Sequence, residues 1–414
     1  MKKKLALLAA ALCFLIGCAA GDEQAGPEEK VLTVVLWDYD KISYDRRLTE
    51  AFEALHPDVR VRAISYPDAY YDQKMEALLA GGREVDVFLT RTISSLKRLC
   101  DYGAAYPLDT LMETYGHDLA GAPELDAMRW DGKLYGVPYR RDQYVLVYNC
   151  DLFDQAGIAY PPASVTWEQL HGIARQLQPR LGPDEYAMMI LPMDIQWIAA
   201  GRERPMDYRA GSEEALRPIM TLLREMQEEG TAPKYGDCIA RDIQQQCFEL
   251  GNYGMYIGGS WYLNYLETDR KAGKFDFRWG VTTAPRWEQG RGGDGTVVLS
   301  GMGISRNSGE KGLAWEFIRF AAGAEGARIM AEEQMMPAYM DETIRQVYAQ
   351  HFSGARLDSE VYQNRPRYQP YSGGEDQLAG QDIVCDVFRK CMIGEITVEE
   401  ALEEMRRQLP GTSS

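Results

Sequence analysis

Hydrophobic and polar positions alternate between strand-like and helix-like periods from residue 31 onward. Val31–Trp37 is a nearly continuous apolar run, which is typical of a strand buried on both faces. The next apolar residues follow the i, i+4, i+7 spacing of a helix with one buried stripe. Strands and helices keep alternating, and the segments after the first run cover 48–55, 59–63, 71–79 and 85–89. This βαβαβ order predicts an α/β fold in which helices cover both faces of a mostly parallel sheet.

The rest of the chain carries the same two patterns. Strand-like runs lie at 145–148, 280–282 and 297–300, and helix-like patterns cover 151–156, 213–229, 239–250 and 313–320. Thr166 and Gln169 have the spacing of a capping box, which predicts that a helix begins after Thr166. A chain of 414 residues is too long for one small core, so the sequence predicts two domains.

Polar and aromatic residues follow two of the predicted parallel strands. Trp37-Asp38-Tyr39 follow the first strand, and Thr90-Arg91-Thr92 follow the third. In open α/β sheets, ligands bind beyond the carboxyl ends of the strands. Both triplets are therefore predicted to line a crevice.

The N-terminus has the pattern of a lipoprotein signal peptide. Three lysines precede an apolar stretch over 5–16, which is shorter than the roughly 20 residues that a membrane-spanning helix needs. Leu15-Ile16-Gly17-Cys18 fits the lipobox that lipoprotein signal peptidase recognises, and this predicts an acyl chain on Cys18. Residues 18–30 are rich in Gly, Ala, Asp and Glu and are predicted to form a flexible tether. An ordinary signal peptide with a chance cysteine is the alternative.

The charge of the chain restricts its partners. The net charge is -17, and removal of the signal peptide takes away three lysines and no acids, which leaves about -20. So acidic a surface argues against binding to nucleic acid or to anionic lipid. No later segment is apolar and long enough to cross a membrane. We therefore expect contact with the membrane through the lipid anchor only, on the extracytoplasmic face.

Six of the eight cysteines remain once Cys13 leaves with the signal peptide and Cys18 is acylated. If Cys385 and Cys391 share a helix, they stand about 9 Å apart along its axis. A disulfide needs Cα atoms within about 7 Å, so buried free thiols are the expected state and disulfides the alternative. The four histidines have no metal-ligand spacing, and no metal or cofactor is predicted.

Short motifs along the chain resemble, in order, those of extracellular solute-binding proteins (family 1) of ABC importers, the maltose-type sugar-binding proteins. The motifs are Leu32–Trp37, Leu55–Val59, Tyr71–Leu79, Gly81-Gly82, Asp86–Phe88, Asp131–Pro138, Tyr148–Phe153, Trp167–Leu170 and Gly254–Trp261. The resemblance implies a two-lobe periplasmic-binding-protein-like fold, in which each α/β lobe is a mostly parallel sheet flanked by helices and a hinge joins the lobes. It also implies a monomer that captures a carbohydrate and delivers it to the permease subunits of an ABC importer, with no enzymatic activity.

The same resemblance implies how the chain is divided. After the signal peptide (1–17) and the tether (18–30), lobe I takes 31–139 plus 296–345, and lobe II takes 140–295 plus 346–414. The chain is expected to cross between the lobes near 139–144, near 295 and near 340–350.

Aromatic residues are the main candidates for ligand contact, because the C–H faces of a sugar pack on aromatic rings. The candidates are Trp37, Tyr39, Trp197, Trp261, Tyr262 and Trp287. Core packing is the alternative for each of them. Trp261 is the first choice, because the stacking aromatic of the family falls there and Gly258-Gly259 allow close approach.

Charged and backbone candidates complete the predicted site. Arg140 and Arg141 precede Asp142 where the hinge of the family meets the cleft. Facing inward with Arg91, they would suit an acidic sugar, since guanidinium pairs bidentately with carboxylate; solvated hinge surface is the alternative. Gly301 and Met302 end a strand where members of the family pass backbone close to the ligand.

Three other classes of function stay open. A secreted glycosidase is one, although the sequence has no nucleophile elbow, triad spacing or metal motif. A binding protein for a non-sugar solute, such as a polyamine, phosphate ester or peptide, is the second. A purely structural surface lipoprotein is the third.

Overall fold

The computed structural model describes residues 29–116, 124–192, 208–287, 297–352, 355–363 and 375–411. Cys18, Trp197 and the crossing predicted near residue 295 lie outside these ranges.

Strands and helices alternate along the described residues. The strands are β1 (Lys30–Trp37), β2 (Val59–Tyr66), β3 (Val87–Thr90), β4 (Arg129–Trp130), β5 (Lys133–Leu134), β6 (Val137–Asn149), β7 (Tyr186–Met189), β8 (Tyr253–Gly259), β9 (Trp279–Thr283), β10 (Val297–Ile304) and β11 (Arg356–Leu357). The helices are α1 (Ser43–Leu55), α2 (Tyr71–Ala80), α3 (Ile93–Asp101), α4 (Asp109–Tyr115), α5 (Cys150–Ala156), α6 (Trp167–Leu177), α7 (Arg217–Glu228), α8 (Tyr235–Ala240), α9 (Trp261–Lys271), α10 (Lys311–Ala322), α11 (Ala324–Glu332), α12 (Glu342–Gln350), α13 (Glu360–Gln363), α14 (Glu375–Ile393) and α15 (Val398–Gln408).

The predicted βαβαβ unit is confirmed. Strand β1 pairs in parallel with β2 along its whole length and with β3 on its other side. Its residues from Leu32 to Trp37 are buried, as their continuous apolar run requires. The carboxyl ends of these strands, at Trp37, Tyr66 and Thr90, therefore lie at the same edge of the sheet.

Two long strands connect this unit to the rest of the molecule. Strand β10 pairs antiparallel with β3 and with the first half of β6, and the second half of β6 pairs antiparallel with β8 and β9. Parallel pairs between β7 and β8 and between β9 and β11 complete a nine-stranded sheet of the described residues. The sheet is thus parallel toward its outer strands and antiparallel wherever β6 or β10 takes part.

Core packing divides the molecule into two lobes. One cluster of buried residues, from 32–139 and 297–335, forms the core of lobe I. Two further clusters, on opposite faces of the second half of the sheet, form the core of lobe II. Met336 and Ile344 pack in a lobe II cluster, although the sequence division assigned residues up to 345 to lobe I.

The lobes meet where three chain segments run side by side. Tyr139 packs in lobe I and Val145 in lobe II, so β6 crosses between them over the intervening residues. Strand β10 pairs with β6 along this stretch. The third segment crosses at 335–338, where the amide of Arg141 donates to the carbonyl of Met336 (3.0 Å) and that of Ala338 to the carbonyl of Tyr139 (3.0 Å). This third crossing comes a few residues before the expected 340–350.

Several local predictions are confirmed. Thr166 and Gln169 form a complete capping box at the start of α6, and Gly157 ends α5 in the left-handed conformation at a φ of 65°. The six cysteines from Cys100 to Cys391 are free thiols in this structure. Within the described ranges, no helix has both the length and the apolar character needed to cross a bilayer.

Candidate functional site

The carboxyl-end edge of the lobe I sheet faces lobe II and holds a layered aromatic and cationic group. The guanidinium of Arg140 lies 5.7 Å from the ring centre of Trp37 and 5.8 Å from that of Tyr44. Trp37 also meets Tyr71 edge to face, with ring centres 5.2 Å apart. All four side chains are buried, so the sheet edge at the base of the cleft is a packed surface. Attraction between cation and ring stabilises such an arrangement.

A buried hydrogen-bond chain runs from this group into lobe II. The guanidinium of Arg140 donates to Oδ2 of Asp142 through two nitrogens (2.6 and 2.9 Å) and to the hydroxyl of Tyr44 (2.6 Å). The other carboxylate oxygen of Asp142 accepts from the hydroxyl of Ser260 (2.8 Å), at the start of α9. Burial disfavours the charged guanidinium, but the charge and hydrogen bonds of Asp142, together with Tyr44 and Tyr139, outweigh this effect, and the pKa of Arg140 is raised well above its ordinary value. The chain Tyr44–Arg140–Asp142–Ser260 therefore connects the two lobes.

A second carboxylate is buried beside Arg140 without such partners. Asp45 is 1% exposed, and neither of its carboxylate oxygens accepts a hydrogen bond from a described protein group. Burial raises the pKa of Asp45 to about 7, and the positive charge of Arg140 opposes that rise. The residue lies in the first turn of α1, where the helix dipole favours negative charge. Sequence analysis missed it, because its burial is set by the approach of β6.

The other two candidate arginines also form ion pairs. Arg141 lies 3.0 Å from Glu124, and both side chains are less than a tenth exposed. Arg91 donates to the carboxylates of Asp68 (2.9 Å) and Asp72 (2.7 Å) and keeps 32% of its side chain exposed. The structure places Arg91 at the carboxyl end of β3, where Ser300 donates to its carbonyl (3.2 Å).

Trp261 lies where the two lobes touch. It is half-buried, begins α9, and packs against the core clusters of both lobes. Its ring lies directly on Gly259, where a Cβ atom would come within 2.1 Å of the ring. Tyr144 meets it edge to face at 6.0 Å. The sequence suggested that Gly258-Gly259 allow close approach at this site. In the structure, the absence of a side chain at Gly259 makes room for the ring of Trp261.

Tyr265, four residues further along α9, was missed by sequence analysis. Four residues make rather more than one helical turn, so Tyr265 lies on the same side of α9 as Trp261. It is 39% exposed, and the charges of Asp38 and Asp68 in lobe I contribute to its raised pKa, after burial and the opposing charge of Arg140. These three charged residues of the other lobe and the hinge therefore lie near Tyr265. The i, i+4 spacing from Trp261 was the available signal.

The remaining candidates divide between cleft and core. Asp38 follows Trp37 with a φ of 45° and pairs with Lys41 (3.2 Å), and the hydroxyl of Tyr39 hydrogen-bonds that of Thr49 (2.7 Å). The structure corrects the prediction for Tyr262, whose side chain is fully buried in lobe II and shares a hydrogen bond with Glu249 (3.0 Å). The side chain of Tyr262 points about 100° around α9 from that of Trp261, toward the lobe II core.

Three more candidates pack on the core of one or the other lobe. Met302 is buried in the lobe I core, and Gly301 packs against the side chain of Met128. The ring of Trp287 lies 5.9 Å from that of Trp167 and packs on the lobe II core.

A separate cavity of about 730 Å³ lies on lobe II, away from all these candidates. It is lined by Tyr148, Asp154, Ile158, Ala159, Tyr160, Pro161, Pro162, Ala163, Arg356, Leu357 and Asp358. Among the described residues, no group of three or more His, Cys, Asp or Glu side chains is arranged to hold a metal ion.

Two α/β lobes, with aromatic side chains where they meet, are the features of a two-lobed binding protein. The family profile of the bacterial extracellular solute-binding proteins matches residues 47–340, more than two thirds of the chain. This chain belongs to that family, whose members bind solutes outside the cytoplasm.

Similar proteins support the fold over nearly the whole chain. A putative binding protein of Brucella abortus is 24% identical over 387 residues, which cover 90% of each protein. The structure is similar to that of a sugar transporter from Rhizobium etli in an open conformation, with a TM-score of 0.79 at 24% identity, over 92% of this chain and 98% of that one. An ABC substrate-binding protein from Listeria monocytogenes, in complex with cycloalternan, gives a TM-score of 0.78 at 21% identity over the same shares.

Proposed function

We propose that this protein captures a carbohydrate in the cleft between its lobes and delivers it to the permease subunits of an ABC importer. The position of Trp261 carries the proposal: a half-exposed indole at the start of α9, in contact with both lobes. Such a ring can pack on the C–H face of a sugar while the surrounding polar groups bond its hydroxyls. The sugar transporter and the cycloalternan complex among the similar structures support this choice of solute.

The proposed ligand contacts come from both sides of the cleft. Lobe I supplies Asp38, Asp68 and Arg91 from the loops after β1, β2 and β3. Lobe II supplies Trp261 and Tyr265 from one side of α9. The side chains that are buried at the base, Trp37 and Arg140 among them, hold these groups in place.

Carbohydrate binding should raise the melting temperature of the protein. A solute that binds only the folded state stabilises it by RT ln(1 + [L]/Kd), about 2.7 kcal/mol at 100 times Kd. Thermal melts against a panel of mono- and oligosaccharides, polyamines and short peptides check this. A shift with polyamines or peptides alone would replace the sugar with a non-sugar solute, and cleavage of an oligosaccharide would indicate a glycosidase.

Trp261→Ala should weaken sugar binding by about 2 kcal/mol or more, as the loss of a central aromatic contact does. Isothermal titration with a sugar identified in the panel measures the loss. Urea melts without ligand should show a smaller change in stability than the 3–5 kcal/mol that a core tryptophan costs.

Trp130→Ala is a matched control for this variant. Trp130 is also half-buried and packs on the lobe I core, but it belongs to the short β4–β5 hairpin and was not a ligand candidate. Its removal should leave affinity unchanged. Equal losses of affinity in both variants would indicate a general loosening of the protein and argue against stacking on Trp261.

The proposed site of action is the outer face of the cell membrane, to which an acyl chain on Cys18 would tether the protein. Cys18→Ser should release the protein from the membrane fraction, because a serine hydroxyl does not take the lipid that the thiol takes. Metabolic labelling with palmitate, followed by fractionation, measures this. Labelling that persists in the variant would contradict the lipobox interpretation, and Cys13→Ser should leave labelling unchanged.

A further inference from the structure

Arg91 is the most accessible of the three arginines near the cleft. It directly follows β3, and its side chain keeps 32% of its surface exposed, against 10% for Arg140 and 9% for Arg141. Arg140 and Arg141 lie deep and are each paired with a buried carboxylate. A negatively charged solute in this cleft would therefore meet Arg91 first.

Two carboxylates already occupy the guanidinium of Arg91. One terminal nitrogen donates to the carboxylate of Asp68 (2.9 Å) and to its carbonyl (3.1 Å), and the other donates to Asp72 (2.7 Å). Asp68 lies in the turn after β2 and is 53% exposed, and Asp72 lies in the first turn of α2. Both terminal nitrogens, which could bind a solute carboxylate bidentately, thus donate to protein oxygens, and the remaining Nε–H is buried.

The balance of charge around the cleft is negative. The three arginines Arg91, Arg140 and Arg141 face four carboxylates: Asp68, Asp72, Asp142 and Glu124. Asp38 adds a fifth, whose partner Lys41 has a side chain that is 74% exposed. With a mature chain near -20, the long-range field also repels anions.

We propose that Asp68 and Asp72 determine the charge preference of the cleft: by neutralising Arg91, they exclude solutes with a carboxylate at this position and select an uncharged sugar. The proposal rests on the proposed carbohydrate function. It also argues against the acidic sugar that the three arginines suggest in the sequence. The sequence shows how many arginines there are but not that each is paired with a carboxylate.

Matched neutral and acidic sugars test the proposal by isothermal titration. Glucose, galactose, mannose and galactotriose are compared with glucuronate, galacturonate, mannuronate and trigalacturonate. The wild-type protein should bind at least one neutral sugar at least tenfold more tightly than its acidic counterpart. Asp68→Asn combined with Asp72→Asn leaves the positive charge of the guanidinium uncompensated, and affinity for that acidic counterpart should then rise at least tenfold with little change for the neutral sugar. Adding Arg91→Gln to the double variant should cancel the gain.

Glu76→Gln is the matched control. Glu76 lies on the same helix as Asp72 and pairs with Arg98 (2.9 Å). The variant therefore also removes an acid from an ion pair, but this pair contains no candidate residue. It should leave both affinities unchanged. Tighter wild-type binding of an acidic sugar, or a double variant with no gain for the acidic counterpart, would overturn this proposal and leave the carbohydrate function standing. No binding of any sugar would overturn the carbohydrate function, and this proposal with it.

Discussion

Arg140→Leu should lower the free energy of unfolding by about 3–5 kcal/mol, the usual cost of removing one partner of a buried ion pair. The variant leaves Oδ2 of Asp142 and the hydroxyl of Tyr44 without the N–H donors that Arg140 provides. Asp142 is 1% exposed at its side chain, so water does not compensate for the loss. Urea-induced unfolding, followed by tryptophan fluorescence, measures the change.

Two further variants separate the ion pair from other effects of the substitution. Replacing Arg140 and Asp142 together by leucine removes both charges, and much of the lost stability should return, because neither member of the pair stays buried without the other. Arg60→Leu removes an arginine whose side chain is 63% exposed and whose nearest carboxylate is 3.6 Å away, so it should cost less than about 1 kcal/mol. Equal losses in the Arg140 and Arg60 variants would show that the buried chain between the lobes contributes no special stability.

The sequence predicted the order of elements well, because their apolar periods are strong. The buried run before Trp37 and the stripe of α1 follow from local pattern alone, and the structure confirms both. The capping box at Thr166 was equally local. The position of the third crossing was less accessible. It depends on whether Met336 and its neighbours pack in the core of lobe I or of lobe II, and the local sequence pattern does not distinguish these two possibilities.

The chemistry of the cleft was harder to predict, since it depends on partners distant in sequence. The partners of Arg91 lie about 20 residues before it in the sequence. They are the carboxylates of Asp68, in the turn after β2, and Asp72, at the start of α2. Tyr262 and Trp261 are adjacent in sequence, but a helix turns neighbouring side chains about 100° apart, so one is buried in the core and the other is half-buried where the lobes meet. Asp45 showed no signal, because its burial arises from Arg140, nearly a hundred residues away.

Asp45→Asn should stabilise the protein at neutral and alkaline pH and should remove part of its pH dependence. The pKa of Asp45 rises from 3.8 to about 7 on folding, because burial penalises the ionised form. Such a group makes its favourable contribution below its unfolded pKa and loses it as pH rises toward the folded pKa. Each unit corresponds to about 1.4 kcal/mol, so the wild type should be destabilised by up to about 4 kcal/mol above pH 7. The difference between variant and wild type should therefore grow from near zero at pH 4 to its full size near pH 8.

Urea melts of both proteins at intervals from pH 4 to pH 8 check this expectation. Glu342→Gln, which removes a 72% exposed acid from the first turn of α12, should keep the wild-type profile. Parallel curves for wild type and Asp45→Asn would show that folding does not raise the pKa of Asp45. The charge of Arg140 lowers the pKa of Asp45, so Arg140→Leu should cost more at pH 8 than at pH 4. In the Asp45→Asn background that extra cost should become smaller, because the amide carries no charge for Arg140 to stabilise.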